Sequence, residues 1–437
     1  MKIRRGPRLW EKAKTLIPGG SQLFSKRAEL FLPSLWPAYY KKAKGDMIWD
    51  LDGNKFIDMS YMGVGTCVLG YADPDVNRSV VRAISLGSMS TLNCFEELEL
   101  AELLLKLNPW AGMVRYARTG GEAMAIAVRI ARAFTGKDRV AFCGYHGWSD
   151  WYLSANLAKD TNLDGHLLPG LQPKGVPRAL METALPFNYN RIDELENIVS
   201  KYNDIGAIVM EPVRHQEPKD DFLKKVRKIA DEIGAVLVFD EITSGWRMNV
   251  GGVHRLYGVD PDIAVYGKAM SNGFPMAAVV GKKEVMDAAQ DSFISSTYWS
   301  ERIGPVAALA TIEKMKRRNV PRHLCKIGNS VKEGWKKMAS EHGLEIKVAG
   351  LPPLATFSFE GGDPQAMHTL FTQEMLERGF LASKSLYASY AHTEEHVSRY
   401  LECVDEVFRL IKKAIDRGEL RKMLKGPVAQ TGFKRLA

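Results

Sequence analysis

Cysteine is scarce and scattered in this 437-residue chain: Cys67, Cys94, Cys143, Cys325 and Cys403, with no CxxC pair among them. An odd, widely spaced set excludes a disulfide framework and a four-cysteine zinc site, and reads as reduced thiols in a cytoplasmic setting. Long hydrophobic runs are absent too. The longest charge-free stretch, residues 59–72, is too short and too glycine-rich to cross a bilayer, so no membrane association is expected. The basic opening, MKIRRGPRLWEKAK, lacks the apolar run of a signal peptide. There is no internal repeat and no low-complexity tract, which excludes solenoids and biased linkers. Neither sign of charge dominates: 60 Lys+Arg against 51 Asp+Glu give +9, and part of the excess sits at residues 2–8 and 421–435. Acids are interspersed elsewhere, so the balance suits small anions, and nucleic acid is not an expected partner.

What is present is ordinary globular composition, 46% hydrophobic and 25% charged, enough for one large core or two domains. Five short β-rich runs, MVRYA (113–117), RVAFCGY (139–145), GAIVMEP (206–212), AVLVFDE (235–241) and DIAVYGK (262–268), alternate with helical patterns at 122–134, 192–201 and 221–233. In the first helix Ala123, Ile126, Ala127, Ile130 and Ala131 make one apolar face. Alternation of this kind predicts an α/β fold with a mostly parallel central sheet, its sites at the carboxyl ends of strands. The two chain ends differ from the middle. A hairpin is expected around Asp52-Gly53, and charged helices with a β segment at 354–359 follow position 311. These divisions predict an N-terminal segment 1–60 joining a small α+β domain, a large domain 61–311, and a C-terminal part 312–437 of the small domain.

Several strand ends carry chemistry. Thr119-Gly120-Gly121-Glu122 opens a helix, where small glycines let a phosphate approach N–H groups; the same residues also read as a plain capping box. No Gly-Lys pair (Gly136, Gly267, Gly281) is followed by Ser or Thr, and Gly63-Val64-Gly65 lacks a further spaced glycine, so nucleotide motifs fail. Asp240 and Glu241 end an apolar strand, where an acid needs a partner or a function. Lys268 ends the next one, and a lysine in an apolar site can form a Schiff base. Tyr145-His146-Gly147-Trp148 closes another strand, with core packing the plainer reading of Tyr145. An anion cradle, an aromatic, a carboxylate and an amine together match the needs of pyridoxal 5'-phosphate.

The chain also resembles a family. IPGG (17–20), DLDGNKFIDM (50–59), TGGEA (119–123), GYHG (144–147), EP (211–212), FDEITSGWR (239–247), GVDPDIAVYGKAMSNGFPMAAVVG (258–281), SST (295–297) and AHTEE (391–395) are similar to fold-type I, class III pyridoxal-phosphate aminotransferases, notably the glutamate-1-semialdehyde 2,1-aminomutase branch. The resemblance implies Lys268 as the Schiff-base lysine and proton shuttle, and Asp240 as partner of the pyridine nitrogen. It implies Thr119, Gly120 and Gly121 around the phosphate, Tyr145 stacked on the ring with His146 beside it, and Glu211 near the cofactor. It further implies that Thr297 reaches the phosphate of a neighbouring subunit, hence a homodimer with active sites at the interface. The implied activity is amino-group transfer between small amine and carbonyl molecules, as aminotransferase or aminomutase. A carbohydrate-derived substrate, a racemase or decarboxylase on the same fold, and a non-catalytic anion-binding protein are the alternatives.

Departures from the branch fall on substrate positions. Lys26 stands in register where an arginine is usual, with Arg27 one later. Tyr298-Trp299-Ser300-Glu301-Arg302 replaces a run of small residues, so Lys26, Arg27, Trp148, Trp299 and Glu301 are the candidate substrate contacts. His392-Thr393-Glu394-Glu395-His396 has an inverted zinc-motif spacing, but Thr393 followed by two acids reads as a helix start and no metal is expected.

Overall fold

A computed structural model of the chain describes residues 3–166 and 168–436; Lys2, in the basic opening stretch, lies outside them. The chain divides into two compact units, Met1–Asp73 with Arg322–Ala437, and Pro74–Pro321. Both divisions fall later than the positions 60 and 311 read from the sequence, for local reasons. Past residue 60 the chain stays tied to its own unit: the Tyr71 hydroxyl donates to Asp58 Oδ2 at 2.5 Å, and Gly45 bridges Tyr71. Residue 311 lies within the helix Ile303–Arg318, where Thr311 is fully buried.

In the first unit, strands from both ends of the chain share one sheet. Tyr40–Lys44, Met47–Asp50 and Lys55–Met59 are antiparallel, and Phe380–Ala382 joins Lys55–Met59 in parallel. The Asp52-Gly53 hairpin forms because Asp50 Oδ1 accepts the N–H groups of Asp52 and Asn54 at 2.9 and 2.8 Å. Gly53 takes the left-handed φ of 89° that the turn requires. A second sheet pairs Ile346–Ala349, Leu354–Phe359 and Ser385–Tyr387.

The second unit is built on a seven-stranded sheet in the order Met113–Ala117, Ala277–Gly281, Ile263–Tyr266, Val236–Asp240, Ile205–Met210, Arg139–Cys143, Ala184–Pro186. Ala277–Gly281 runs antiparallel to both neighbours, and the remaining neighbouring pairs are parallel. Five strands coincide with the apolar runs of the sequence. Ala277–Gly281, a run of small residues, and the three-residue edge strand Ala184–Pro186 are additions that alternation alone does not announce.

Both faces of this sheet are covered, which is why its strands read as unbroken apolar runs. On one face the helix Gly120–Thr135 lays Ala123, Ala127, Ile130 and Ala131 over Val209, Val238, Val265 and Val279. On the other, the helix Phe222–Ile233 covers Ile208, Met210, Leu237 and Phe239 with Phe222, Val226 and Ile229. Gly206 enters the strand Ile205–Met210 where a Cβ would lie 2.6 Å from the Lys137 carbonyl oxygen and 2.7 Å from Thr135 Oγ1. Gly206→Ala should therefore force a strand shift costing about 1–3 kcal/mol. A urea unfolding midpoint equal to wild type would show that the strand yields freely there.

Candidate active site

Five strand ends of the Pro74–Pro321 unit supply the candidate residues along the carboxyl edge of one sheet. Thr119 to Gly121 follow Met113–Ala117, Tyr145 and His146 follow Arg139–Cys143, and Glu211 follows Ile205–Met210. Asp240 ends Val236–Asp240, and Lys268 follows Ile263–Tyr266. Side chains alternate along a strand, so Asp240 shares the face of Val236 and Val238, under the Gly120–Thr135 helix. Glu241 continues the face of Leu237 and Phe239.

The two adjacent acids are used differently as a result. Asp240, 4% exposed, places Oδ2 at 2.9 Å from His146 Nδ1 and accepts the Ile242 N–H on Oδ1 at 3.0 Å. His146 Nε2 lies 3.2 Å from the Cys143 carbonyl oxygen, so the buried ring meets an acceptor at each nitrogen. Between these two oxygens the ring is fixed against Asp240. Glu241 instead accepts the His254 N–H at 2.9 Å and the Ser244 hydroxyl at 2.8 Å, with His254 Nδ1 2.8 Å away. It is a structural acid.

Lys268 sits at the entry to the short turn Lys268–Ser271 with a left-handed φ of 42°. For a residue with a Cβ that conformation costs about 1–3 kcal/mol and is held by its surroundings. Its Nζ donates to Thr243 Oγ1 at 2.7 Å. Burial, followed by the positive charges of Arg214 and Arg247, pushes the amine down to about 7 against the opposing pull of Asp240 and Glu211. A neutral nucleophilic amine near physiological pH is the chemical outcome.

At the opening of the Gly120–Thr135 helix the capping box is formed: Thr119 N–H donates to Glu122 Oε2 at 2.9 Å, and Glu122 N–H to Thr119 Oγ1 at 3.4 Å. A Cβ on Gly120 would meet Ile242 Cδ1 at 2.9 Å, and one on Gly121 would meet Trp148 Nε1 at 2.9 Å. Neither position has room for a side chain, which leaves bare backbone facing the site. Tyr145 is half-buried and meets the Tyr152 ring edge-on at 6.0 Å. Glu211 Oε1 is 2.9 Å from Arg214 Nη1, and its Oε2 accepts the Tyr145 N–H at 3.3 Å. Burial raises Glu211, but Arg214, His146, the Tyr145 amide and His215 outweigh it and hold the carboxyl below its ordinary value.

The other candidates fall elsewhere. Thr297 is exposed on the turn Thr297–Ser300, Trp148 is exposed beside Gly121, and Trp299 packs partly buried on the core. Glu301 turns to protein: it accepts Arg118 Nε at 2.9 Å and the N–H groups of Ile303 and Gly304 at 2.6 and 2.8 Å, capping the helix Ile303–Arg318. Lys26 and Arg27 belong to the other unit. Lys26 is exposed, while the Arg27 guanidinium lies 5.1 Å from the Phe24 ring and donates to the Lys434 carbonyl at 2.9 Å. His392 and His396 of that unit have separate partners. His392 Nε2 is 2.8 Å from the Asp58 carbonyl and its Nδ1 accepts the Ser389 N–H, whereas His396 Nδ1 is 2.5 Å from Asp46 Oδ2.

The family model of class III aminotransferases matches residues 33–406. The chain belongs to that family. It is 32% identical over 429 residues to the 3-aminobutyryl-CoA aminotransferase of Cloacimonas acidaminovorans, covering 95% of this chain and 99% of the relative. It is 30% identical over 428 residues to the glutamate-1-semialdehyde 2,1-aminomutase of Archaeoglobus fulgidus, covering 93% and 100%. Among solved structures, the pyridoxal-phosphate internal aldimine form of the Sphingopyxis sp. MTA144 FumI protein superimposes with a TM-score of 0.84 at 26% identity, covering 94% of this chain and 97% of that one. The fold is therefore that of a fold-type I pyridoxal-phosphate enzyme, the cofactor is pyridoxal phosphate, and the activity is amino-group transfer of the aminotransferase or aminomutase kind.

The residues of this class III aminotransferase fit that cofactor. A carboxylate offers about four acceptor positions, and the His146 and Ile242 contacts engage two of those on Asp240. The Gly120-Gly121 helix start is bare, as a phosphate requires. Two contributors were missed in the sequence reading, Thr243 and Arg214, although Thr243 lies in the quoted run FDEITSGWR and Arg214 directly follows the EP landmark. Trace labelling of the cofactor-free enzyme with acetic anhydride, read by mass spectrometry, should find Lys268 half-reactive near pH 7, the neutral form lying above that pH. Surface lysines should titrate at about 10.4. A Lys268 profile matching theirs would show that burial does not tune it.

Proposed function

We propose that Lys268 is the reacting amine of this enzyme, serving two half-reactions in which one small molecule gives up an amino group and another receives it. The observation that carries this is the meeting of a depressed-pKa lysine, a buried carboxylate and a bare helix start on one sheet edge. Pyridoxal phosphate, when bound, supplies the electron sink for charge released when the carbon bearing the amine loses its proton. Lys268 would hold the cofactor through its Nζ, and the same amine is placed to take and return that carbon's proton. Asp240, backed by His146, holds a proton on the pyridine nitrogen. The Gly120 and Gly121 amides with Thr119 hold the phosphate, Tyr145 covers one ring face, and Glu211 fixes the loop that carries Tyr145.

A two-substrate aminotransferase is the form favoured here. Lys26 in place of an arginine, and bulky Tyr298 and Trp299 in place of small residues, separate the chain from the aminomutase pattern. The similarity to a 3-aminobutyryl-CoA aminotransferase over nearly the whole chain supports the same choice.

Two copies are proposed to complete the site, with Thr297 serving the partner's phosphate. Exposed apolar side chains of the unit that carries the candidate site support this: Leu92, Phe95, Leu98, Phe293 and Tyr298 are 81%, 62%, 65%, 87% and 71% exposed. Five free thiols suit a cytoplasmic setting, and among the described residues no helix is long and apolar enough to cross a membrane.

Purified wild-type protein should be yellow and bleach with a productive amine donor, releasing a free carbonyl product without any acceptor. Lys268→Ala should lose turnover by at least about 10²-fold. Turnover of Lys268→Ala near the wild-type rate would remove the lysine from the mechanism. Mixed Lys268→Ala and Thr297→Ala proteins should regain activity through hybrid dimers. Absence of any recovery would argue that each site is built by one chain.

A further inference from the structure

After the strand Val236–Asp240 the chain makes one tight turn, residues 240–247, and successive residues of it are pinned. Asp240 Oδ1 accepts the Ile242 N–H at 3.0 Å. Glu241 takes the Ser244 hydroxyl on Oε2 at 2.8 Å, and its carbonyl accepts the Gly245 N–H at 2.9 Å. A Cβ at Gly245 would lie 2.7 Å from that same carbonyl oxygen, so the turn closes over glycine. Arg247, fully buried, donates from Nε to the Thr243 carbonyl at 2.6 Å.

Thr243 is buried in the middle of this turn, and a β-branched side chain is stiff about χ1. Held backbone and few rotamers set the hydroxyl in one place, where Oγ1 accepts Lys268 Nζ at 2.7 Å. A neutral amine has two N–H groups and one lone pair. With one N–H committed to Thr243, the lone pair is confined to the two remaining tetrahedral directions. Capture of an aldehyde needs that lone pair to reach the carbonyl carbon. A C=N bond forms there, while both amine hydrogens leave with the aldehyde oxygen as water. Orientation contributes much of the rate of such additions.

We propose that Thr243 is a positioning residue whose hydroxyl aims the free amine of Lys268, in the cofactor-free protein and again each time substrate displaces it from the cofactor. Arg247 keeps Thr243 in place from the backbone side. The proposal rests on Lys268 as the reacting amine.

The test mixes cofactor-free enzyme with pyridoxal phosphate near pH 7 and follows the rise of the visible band in wild type, Thr243→Ser, Thr243→Val and Thr243→Ala. Val keeps the volume and Ala gives it up, so slowing shared by both traces to the hydroxyl rather than to packing. We expect both to capture the aldehyde at least about tenfold more slowly than wild type, and Thr243→Ser to stay within about threefold. Trace labelling should at the same time place the Lys268 midpoint lower in Thr243→Val, because an ammonium gains more from the hydroxyl than an amine does. Rate and neutral fraction therefore move in opposite senses. Wild-type Lys268 is already half neutral near pH 7, so a lower midpoint by itself would at most double the rate.

Capture by Thr243→Val and Thr243→Ala at the wild-type rate or faster, or an unchanged midpoint, would overturn the proposal. So would Thr243→Ser as slow as Thr243→Val, since packing would then be the role. Normal capture followed by faster loss of pyridoxal phosphate on dialysis would also overturn it, assigning Thr243 to the cofactor. Far-UV circular dichroism and thermal midpoints identify a variant that misfolds, and Thr243→Ala with Thr243→Ser decides if Thr243→Val does. Borohydride reduction and peptide mapping keep the Lys268 reading separate: a tag on another lysine in wild type would sink that reading instead.

Discussion

Removing charge from water at the edge of one sheet is the constraint on which the rest of the site depends. A carboxylate at the end of a core strand is costly unless something answers it. Here the answer to Asp240 is His146, itself held by the Cys143 carbonyl. The neighbouring Glu241 is answered by His254 and Ser244. Both acids are buried, and the alternation of the strand decides which of them meets the helix start where an anion can be received. The chemistry is thus set by side-chain parity as much as by residue type.

The positive groups obey the same constraint with the opposite result. Lys268 is surrounded by too little negative charge to stay protonated easily, because Arg214 and Arg247 lie near it and burial disfavours its charged form. Arg247 is fully buried and donates from Nε to the Thr243 carbonyl at 2.6 Å, while the Thr243 hydroxyl receives Lys268 Nζ. One residue therefore links the guanidinium that weakens the ammonium to the amine itself.

The core of this arrangement was legible in the sequence because burial on both faces writes itself as apolar runs, and the residues just beyond those runs make up the candidate site. Lys268, Asp240, Tyr145 and Glu211 were readable in that way. The antiparallel strand Ala277–Gly281 was hidden because no helical pattern sets it off: only a short turn separates it from Ile263–Tyr266. Arg214 and Thr243 were hidden because their importance lies in distance rather than in pattern. The partners of Glu301 were equally hidden: a charged residue next to aromatics reads as a candidate substrate contact, and its carboxylate accepts from Arg118 and from the first amides of a helix.

The backbone at Lys268 has a bearing on how such an enzyme persists. A left-handed φ of 42° and a buried amine both raise the energy of the folded chain, and both would be relieved by glycine at the same position. The sturdier molecule would be the inert one. Selection for durability alone would drift this position away from lysine, so its presence marks a site where the demands of turnover outweigh those of the fold.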